Sequence, residues 1–402
     1  MGKTLNVPRD YPSISDAIMK AKDGDTIQVE SGNYSGIKVE KTLKIVAFGS
    51  DIPGVDGVSL TGDGVTFRGF MINGDFIVAG NYNDIEDNIF LGGILNVSGN
   101  FNRISGNILN YTSAHLGYDV IMIGNSNVLA ANHIFSWLGG VKFGGSDNRI
   151  TGNRIMVAGA VRDGLIFGVN YGVRGWGPRC NISSNTIISE MDGIVLINDG
   201  QENSEEGIAV INNTIISESG VAIIVDSFLN YSEPSHNQIS KNSISGSTAI
   251  SIADSDDNII TENIITGRDS GISLETGENN LVAGNTIKWM QVGLMIGRWS
   301  DNNSVIGNTI ENCNIGLIEY NYRSQNQIFL NNFVENGVNA YDVCLAVWNK
   351  NGKGNYWSNF IGPDDNTDGI VDKQYVLDGN AGSLDMYPLA NPIVWTYEVN
   401  EP

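Results

Sequence analysis

Asn258–Asn280 reads N-I-I-T-E-N-I-I-T-G-R-D-S-G-I-S-L-E-T-G-E-N-N. It holds three short apolar alternations, Ile259/Ile260, Ile264/Ile265 and Ile272/Leu274, punctuated by Asn258, Asn263, Gly267, Gly271 and Asn279/Asn280. Each is too short for a helix and predicts a strand of about three or four residues. The next copy, Asn280–Asn303, keeps the frame with Asn285, Ile287, Gly293, Leu294 and Ile296. Earlier copies start near Asn102, Asn127, Asn148, Asn181 and Asn237, and a later one at Asn326. A fixed period in the low twenties, with three strands and three bends per unit, is the signature of a solenoid. No unit can bury its Ile/Val/Leu face alone, and stacking makes one core. The pattern therefore predicts an all-β fold, a single-stranded right-handed parallel β-helix of about a dozen turns. Its hand follows from the preference for right-handed crossovers between parallel strands. Recurring Asn suits the bends, because Asn tolerates left-handed backbone angles and its amide can ladder to the Asn one turn above.

The 402 residues fit one linear body, since a solenoid grows by adding turns. Residues 1–56 read as an N-terminal helix/strand cap with first turns, 57–349 as repeats, and 350–402 as a C-terminal cap and tail. Ser13 and Asp16 sit as N-cap and N3 of a short amphipathic helix. Without a cap the end would expose strand edges. Net charge is −22, which argues against nucleic acid or an anionic membrane as partner. No apolar run approaches the ~18 residues of a membrane span. Met1-Gly2-Lys3 leads straight into a folded-looking segment, as in a mature or trimmed chain, and residues 393–402 read as a tail leading on to a longer parent. Cys180, Cys313 and Cys344 are too few for a disulfide framework; Cys313 and Cys344 lie about one turn apart, with burial as small apolar residues preferred to a bond.

The opening V-P-R-D-Y-P-S-I-S-D-A-I, continued by A-K-D-G-D-T-I-Q-V-E-S-G-N-Y, resembles the start of many pectin-lyase-type right-handed β-helix proteins. The tail W-N-K-N-G-K-G-N-Y-W-S-N-F, with D-D-N-T-D-G-I-V-D and Y-P-L, is similar to the end of the NosD-like β-helix family. That resemblance implies an extracellular or cell-surface protein of the kind common in archaea. The family name refers to periplasmic copper binding, yet His115, His133 and His236 are far apart in sequence and no His/Met/Cys cluster accompanies them.

Three insertions, at 169–179, 198–206 and 226–236, follow the Gly-Ile-x-Leu strand of successive turns and predict loops side by side on one face. Aligning Y-D-V-I-M-I, R-D-G-L-I-F and M-D-G-I-V-L places Asp119, Asp163 and Asp192 in one column. At ~4.8 Å per strand they would bracket the spacings of retaining and inverting glycoside hydrolysis. Asp-Gly as ordinary turn chemistry is the competing reading. Asp199 and Asp226 sit beyond the strand as further candidate carboxylates. Arg174, Trp176, Arg179, Glu202, Tyr231, His236, Arg298, Trp299 and Tyr322 supply rings and polar groups suited to sugars, with arginines able to neutralise a uronate carboxylate. Asp364, Asn366, Asp368, Ile370 and Asp372 follow a calcium-loop spacing, with oxygen donors at positions 1, 3, 5, 7 and 9 and Gly369 at 6. A structural calcium pinning the C-terminal cap is the expectation.

Three functions remain open at this point. One is a polysaccharide hydrolase or lyase working beside the insertions. The second is a non-catalytic carbohydrate-binding or adhesion module for polysaccharide or cell-surface glycan. The third is a structural surface repeat, including a part of an oligomer. Fold alone does not choose among them.

Overall fold

The computed structural model describes residues 2–396 except 111–117, 160, 163–164, 167–169, 198–205, 228–233 and 321–324. The chain divides into two units, 1–190 and 191–402. Both are right-handed parallel β-helix, with about 14 turns between them and 2% helix.

The register follows from the inward residues. In the first unit Ile85, Ile104, Leu129, Ile150 and Ile182 are consecutive partners and all buried. In the second, Ile239, Ile260, Val282, Val305 and Ile328 do the same. Two more columns complete each core, such as Leu109/Ile134/Ile155 in the first unit and Ile223/Ile250/Ile272/Leu294 in the second. Burying each such side chain is worth about 1.5–3 kcal/mol, and a one-residue slip would turn the whole column to water.

The bends are held by two buried Asn ladders. In one, Asn242, Asn263, Asn285, Asn308, Asn331 and Asn355 follow turn by turn, each backbone N–H donating to the next Asn Oδ1 at 2.9–3.0 Å. Each side-chain nitrogen also donates to a carbonyl about one turn below, as Asn308 does to Val282 O at 2.8 Å. The left-handed angles do not fall on these asparagines. They fall on the residue before five of the six: Lys241, Glu262, Gly284, Gly307 and Leu330. A non-glycine residue there costs about 1 kcal/mol or more. The ladder explains these buried Asn, while left-handed backbone tolerance suits others at the bends, such as Asn279 (φ 60°) and Asn302 (φ 54°).

The ends are built differently. Helix Ile14–Lys20 is capped as expected, with Ser13 Oγ accepting from Asp16 N at 3.0 Å. Lys41 Nζ donates to the carbonyls of Ile18, Met19 and Ala21 at its far end. Strands Thr4–Val7, Thr26–Val29 and Lys44–Ala47 are already in parallel register. At the C-terminus Phe333, Trp357 and Tyr375 stack at 4.5 and 4.1 Å between centroids. Two buried carboxylates are satisfied there by indole N–H groups, Asp342 by Trp348 (2.7 Å) and Asp385 by Trp357 (2.9 Å).

One expected insertion is not a loop. Tyr171–Gly175 is a core strand paired with Gly139–Gly144, so the 169–179 stretch belongs to the coil. The antiparallel pair Val161–Arg162 and Leu165–Ile166 stands between Arg154–Val157 and that strand, and it holds the extra residues of this turn. Most of the other two insertions lies outside the described residues.

Replacing Asn308 by Ala removes a fully buried amide and strands its partners' donors. Denaturant melts should show a loss of about 2–4 kcal/mol, whereas an exposed bend residue such as Asn302 should change stability little.

Candidate functional site

The site is built on the first unit, where strands Tyr118–Ile123, Gly139–Gly144 and Tyr171–Gly175 lie in register. Val141 pairs with Val173 facing the core, so the next position, Lys142 opposite Arg174, faces out. Phe143 is then opposite Gly175, and a side chain at 175 would collide with its ring. One step on, the Trp176 indole lies on the bare backbone of Gly144. Large and small residues thus alternate between the two turns, and Trp176 is seated by a glycine.

The electrostatics are unusual for so acidic a chain. Lys142 and Arg174 are like charges one strand spacing apart. Each cation also sits by a ring, Lys142 Nζ 5.4 Å from the Trp176 centroid and Arg174 Cζ 5.3 Å from that of Tyr171. Nearby polar atoms are buried without hydrogen-bond partners among the described residues: Arg174 Nε, both amide atoms of Asn170, and Asp119 Oδ2. Burial pushes the Asp119 carboxyl up to about 7, a hydrogen bond with Ser136 pulling the other way.

The expected column of aspartates does not form. Asp119, 3% exposed, stands opposite Gly140, and Gly140 opposite Gly172. It precedes the inward Val120 by one residue, whereas Asp192 precedes the inward Ile194 by two. The apolar residues fix the frame, and aligned on them Asp119 and Asp192 are one residue out of step. The expected column also skips Gly139–Gly144 entirely. Asp192 is half-buried, raised by burial and accepting from Val221 N at 2.9 Å. Asp226 closes the paired strand five residues beyond Val221, roughly 16 Å away along the chain. That is too far for a pair of catalytic carboxylates, which need about 5–9.5 Å. Asp163 and Asp199 lie outside the described residues.

The other candidates disperse. Arg179 makes a bidentate pair with Asp147 at 2.7 and 2.8 Å, joining two bends. His236 Nε2 is 3.7 Å from Asp257, again bend to bend. Arg298 and Trp299 are exposed in the second unit, Trp299 opposite Thr276. Glu202, Tyr231 and Tyr322 lie outside the described residues. Lys142 was missed by sequence reasoning; its signal was a basic residue at the outward position between Val141 and Phe143.

At 364–372 the Asp364 carboxylate accepts from Asp368 N (3.1 Å) and Gly369 N (3.0 Å), and Asp372 accepts from Asp365 N at 2.7 Å. Asp368 accepts from Ile370 N, and Val371 and Ala390 tie the turn to the 388–390 segment. No group of three or more His, Cys, Asp or Glu able to hold a metal occurs among the described residues. Soft donors for copper do not converge there either. Cys180, Cys313 and Cys344 are free thiols, all raised by burial, Cys180 to about 11, while His115 lies outside the described residues.

The model of a family described as "Periplasmic copper-binding protein (NosD)" matches residues 146–362. Among solved structures the chain is similar to the PL6 family polysaccharide lyase Pedsa3628 from Pseudopedobacter saltans, with 15% identity, TM-score 0.49, and coverage of 78% of this chain and 85% of that one. It is also similar to the Dettilon tailspike protein gp208, with 15% identity, TM-score 0.47, and coverage of 86% and 67%. For the A-module of Azotobacter vinelandii mannuronan C-5 epimerase AlgE4 the values are 13%, 0.44, and 83% and 90%. These likenesses concern the fold alone. None of the curated proteins matches the chain.

Raised above its unfolded value, Asp119 favours folding fully below about pH 4 and loses that contribution as pH rises to about 7. Asp119→Asn should therefore gain up to about 4 kcal/mol over the parent at pH 8 and almost nothing at pH 4, read from melts at both.

Proposed function

The chain belongs to the NosD family, and from that premise we propose that it engages an acidic polysaccharide outside the cytoplasm, through the Lys142–Arg174 face. The observation that carries the reading is that pair: two cations in register, each beside an aromatic ring, on a chain of net charge −22. A uronate carboxylate between them relieves their repulsion, while the C–H face of the sugar packs on Trp176. The family description, periplasmic, supports the location. Among the described residues no helix is long and apolar enough to cross a membrane.

A second reading, cleavage by β-elimination, is favoured by the same pair. Neutralising a uronate carboxylate acidifies the adjacent C–H, and a base can then take that proton as the C–O bond to the leaving sugar breaks. Hydrolysis finds less support from the candidate carboxylates, since Asp192 and Asp226 stand too far apart for a catalytic pair. Copper has no donor set among the described residues, and the proposal uses none.

Titration calorimetry with polygalacturonate, alginate and a neutral glucan tests the reading. Lys142→Ala and Arg174→Ala should each weaken uronate binding about tenfold or more. Equal binding of the neutral glucan, or no binding of any uronate, overturns it. Absorbance of the unsaturated product separates lyase from binder.

We further propose that 364–372 takes up calcium, on its oxygen-donor spacing. A chelator should then lower the melting temperature of the parent, and Asp368→Ala should remove that response; a parent indifferent to chelator has no such site.

A further inference from the structure

A concavity of the described surface lies around the strand that precedes the one carrying Lys142. Outward positions of Ile108–Asn110, His133–Ser136 and Arg154–Val157 form two columns. Ile108, His133 and Arg154 make one; Asn110, Phe135 and Met156 make the other. Together they line a cavity of about 400 Å³, within the range of small-ligand sites.

Its chemistry is two-sided. Ile108 is 47% and Phe135 38% exposed, so apolar surface remains in water that a core position would bury. Arg154 is exposed and makes no ion pair among the described residues, and its strand neighbour is His133. An apolar floor with one cation at its rim fits a ring that has a C–H face and an anionic edge. Phe135 stacks on the former and Arg154 pairs with the latter. A neutral apolar peptide would leave the guanidinium unused, and a nucleic acid is disfavoured by the charge of the chain.

The groove is continuous in the chain with the cationic pair. Trp137, 40% exposed, is two residues beyond Phe135, at the corner before Gly139–Gly144, the strand that carries Lys142. Phe135 and Trp137 thus offer two exposed rings at the corner that leads into that strand.

We infer that this groove is an additional subsite for an oligouronate, binding a sugar unit beyond the one held by Lys142 and Arg174. The inference rests on the proposed function and deepens it: the site takes a chain rather than a single sugar. Affinity should therefore rise with length, and the gain should depend on the groove.

The test titrates galacturonate oligomers, a dimer and a longer one, against the parent, Phe135→Ala, Arg154→Ala and Lys142→Ala. The parent should bind the longer oligomer more tightly. Phe135→Ala and Arg154→Ala should each lose about tenfold on the longer oligomer and little on the dimer, whereas Lys142→Ala loses both. Both groove side chains are exposed, so the variants should keep the parent's circular dichroism and melting temperature. If groove variants bind both lengths like the parent while Lys142→Ala does not, the subsite is refuted and the cationic centre stands. If neither length binds the parent, both readings fall.

Discussion

Two bends of each laddered turn bury backbone N–H groups that no strand satisfies, and the Asn side chains meet that demand from the neighbouring turn. The constraint is strict because an unpaired buried donor costs about as much as a whole apolar side chain gains. It fixes the position of each Asn, and with it the phase of the strands on either side. Inward columns then align turn by turn, and outward columns have no choice but to align as well. Strain is accepted in return: residues as bulky as Tyr82, Phe101 and Leu330 hold left-handed angles so that the next Asn can reach its partner.

That forced alignment is what gives the outer faces their chemistry. Lys142 and Arg174 are thirty-two positions apart in the chain and adjacent in the sheet, and neither could choose its neighbour independently. Like charges brought together this way persist more readily where something else compensates them. Two rings do so in part. The same rule places Phe135 and Arg154 on one concave wall.

The fold was legible because its signal is repeated. Inward Ile/Val positions, Asn at fixed offsets and the Ser13 cap each follow from local chemistry. The site was legible only in part. Arg174 and Trp176 were singled out as candidates, but V-N-Y-G-V-R-G looked like a loop because glycines interrupt its apolar pattern. Gly175 faces the Phe143 ring and Gly172 faces Gly140, which a single line of sequence does not display. The aspartate column failed for a related reason. A two-residue period leaves Asp-Gly ambiguous by one step, and only the partner strand decides it. Lys142 went unremarked since a lone basic residue between two apolar ones is ordinary until its opposite number is known.

The seating of Trp176 on Gly144, and of Phe143 beneath Gly175, has an evolutionary consequence. A ring and its bare seat belong to different turns, so neither can be exchanged alone without a void or a collision. Change on this wall would have to come as paired substitutions some thirty residues apart, and such pairs arise rarely. The pairing of ring and bare backbone on this wall is thereby held by geometry alone.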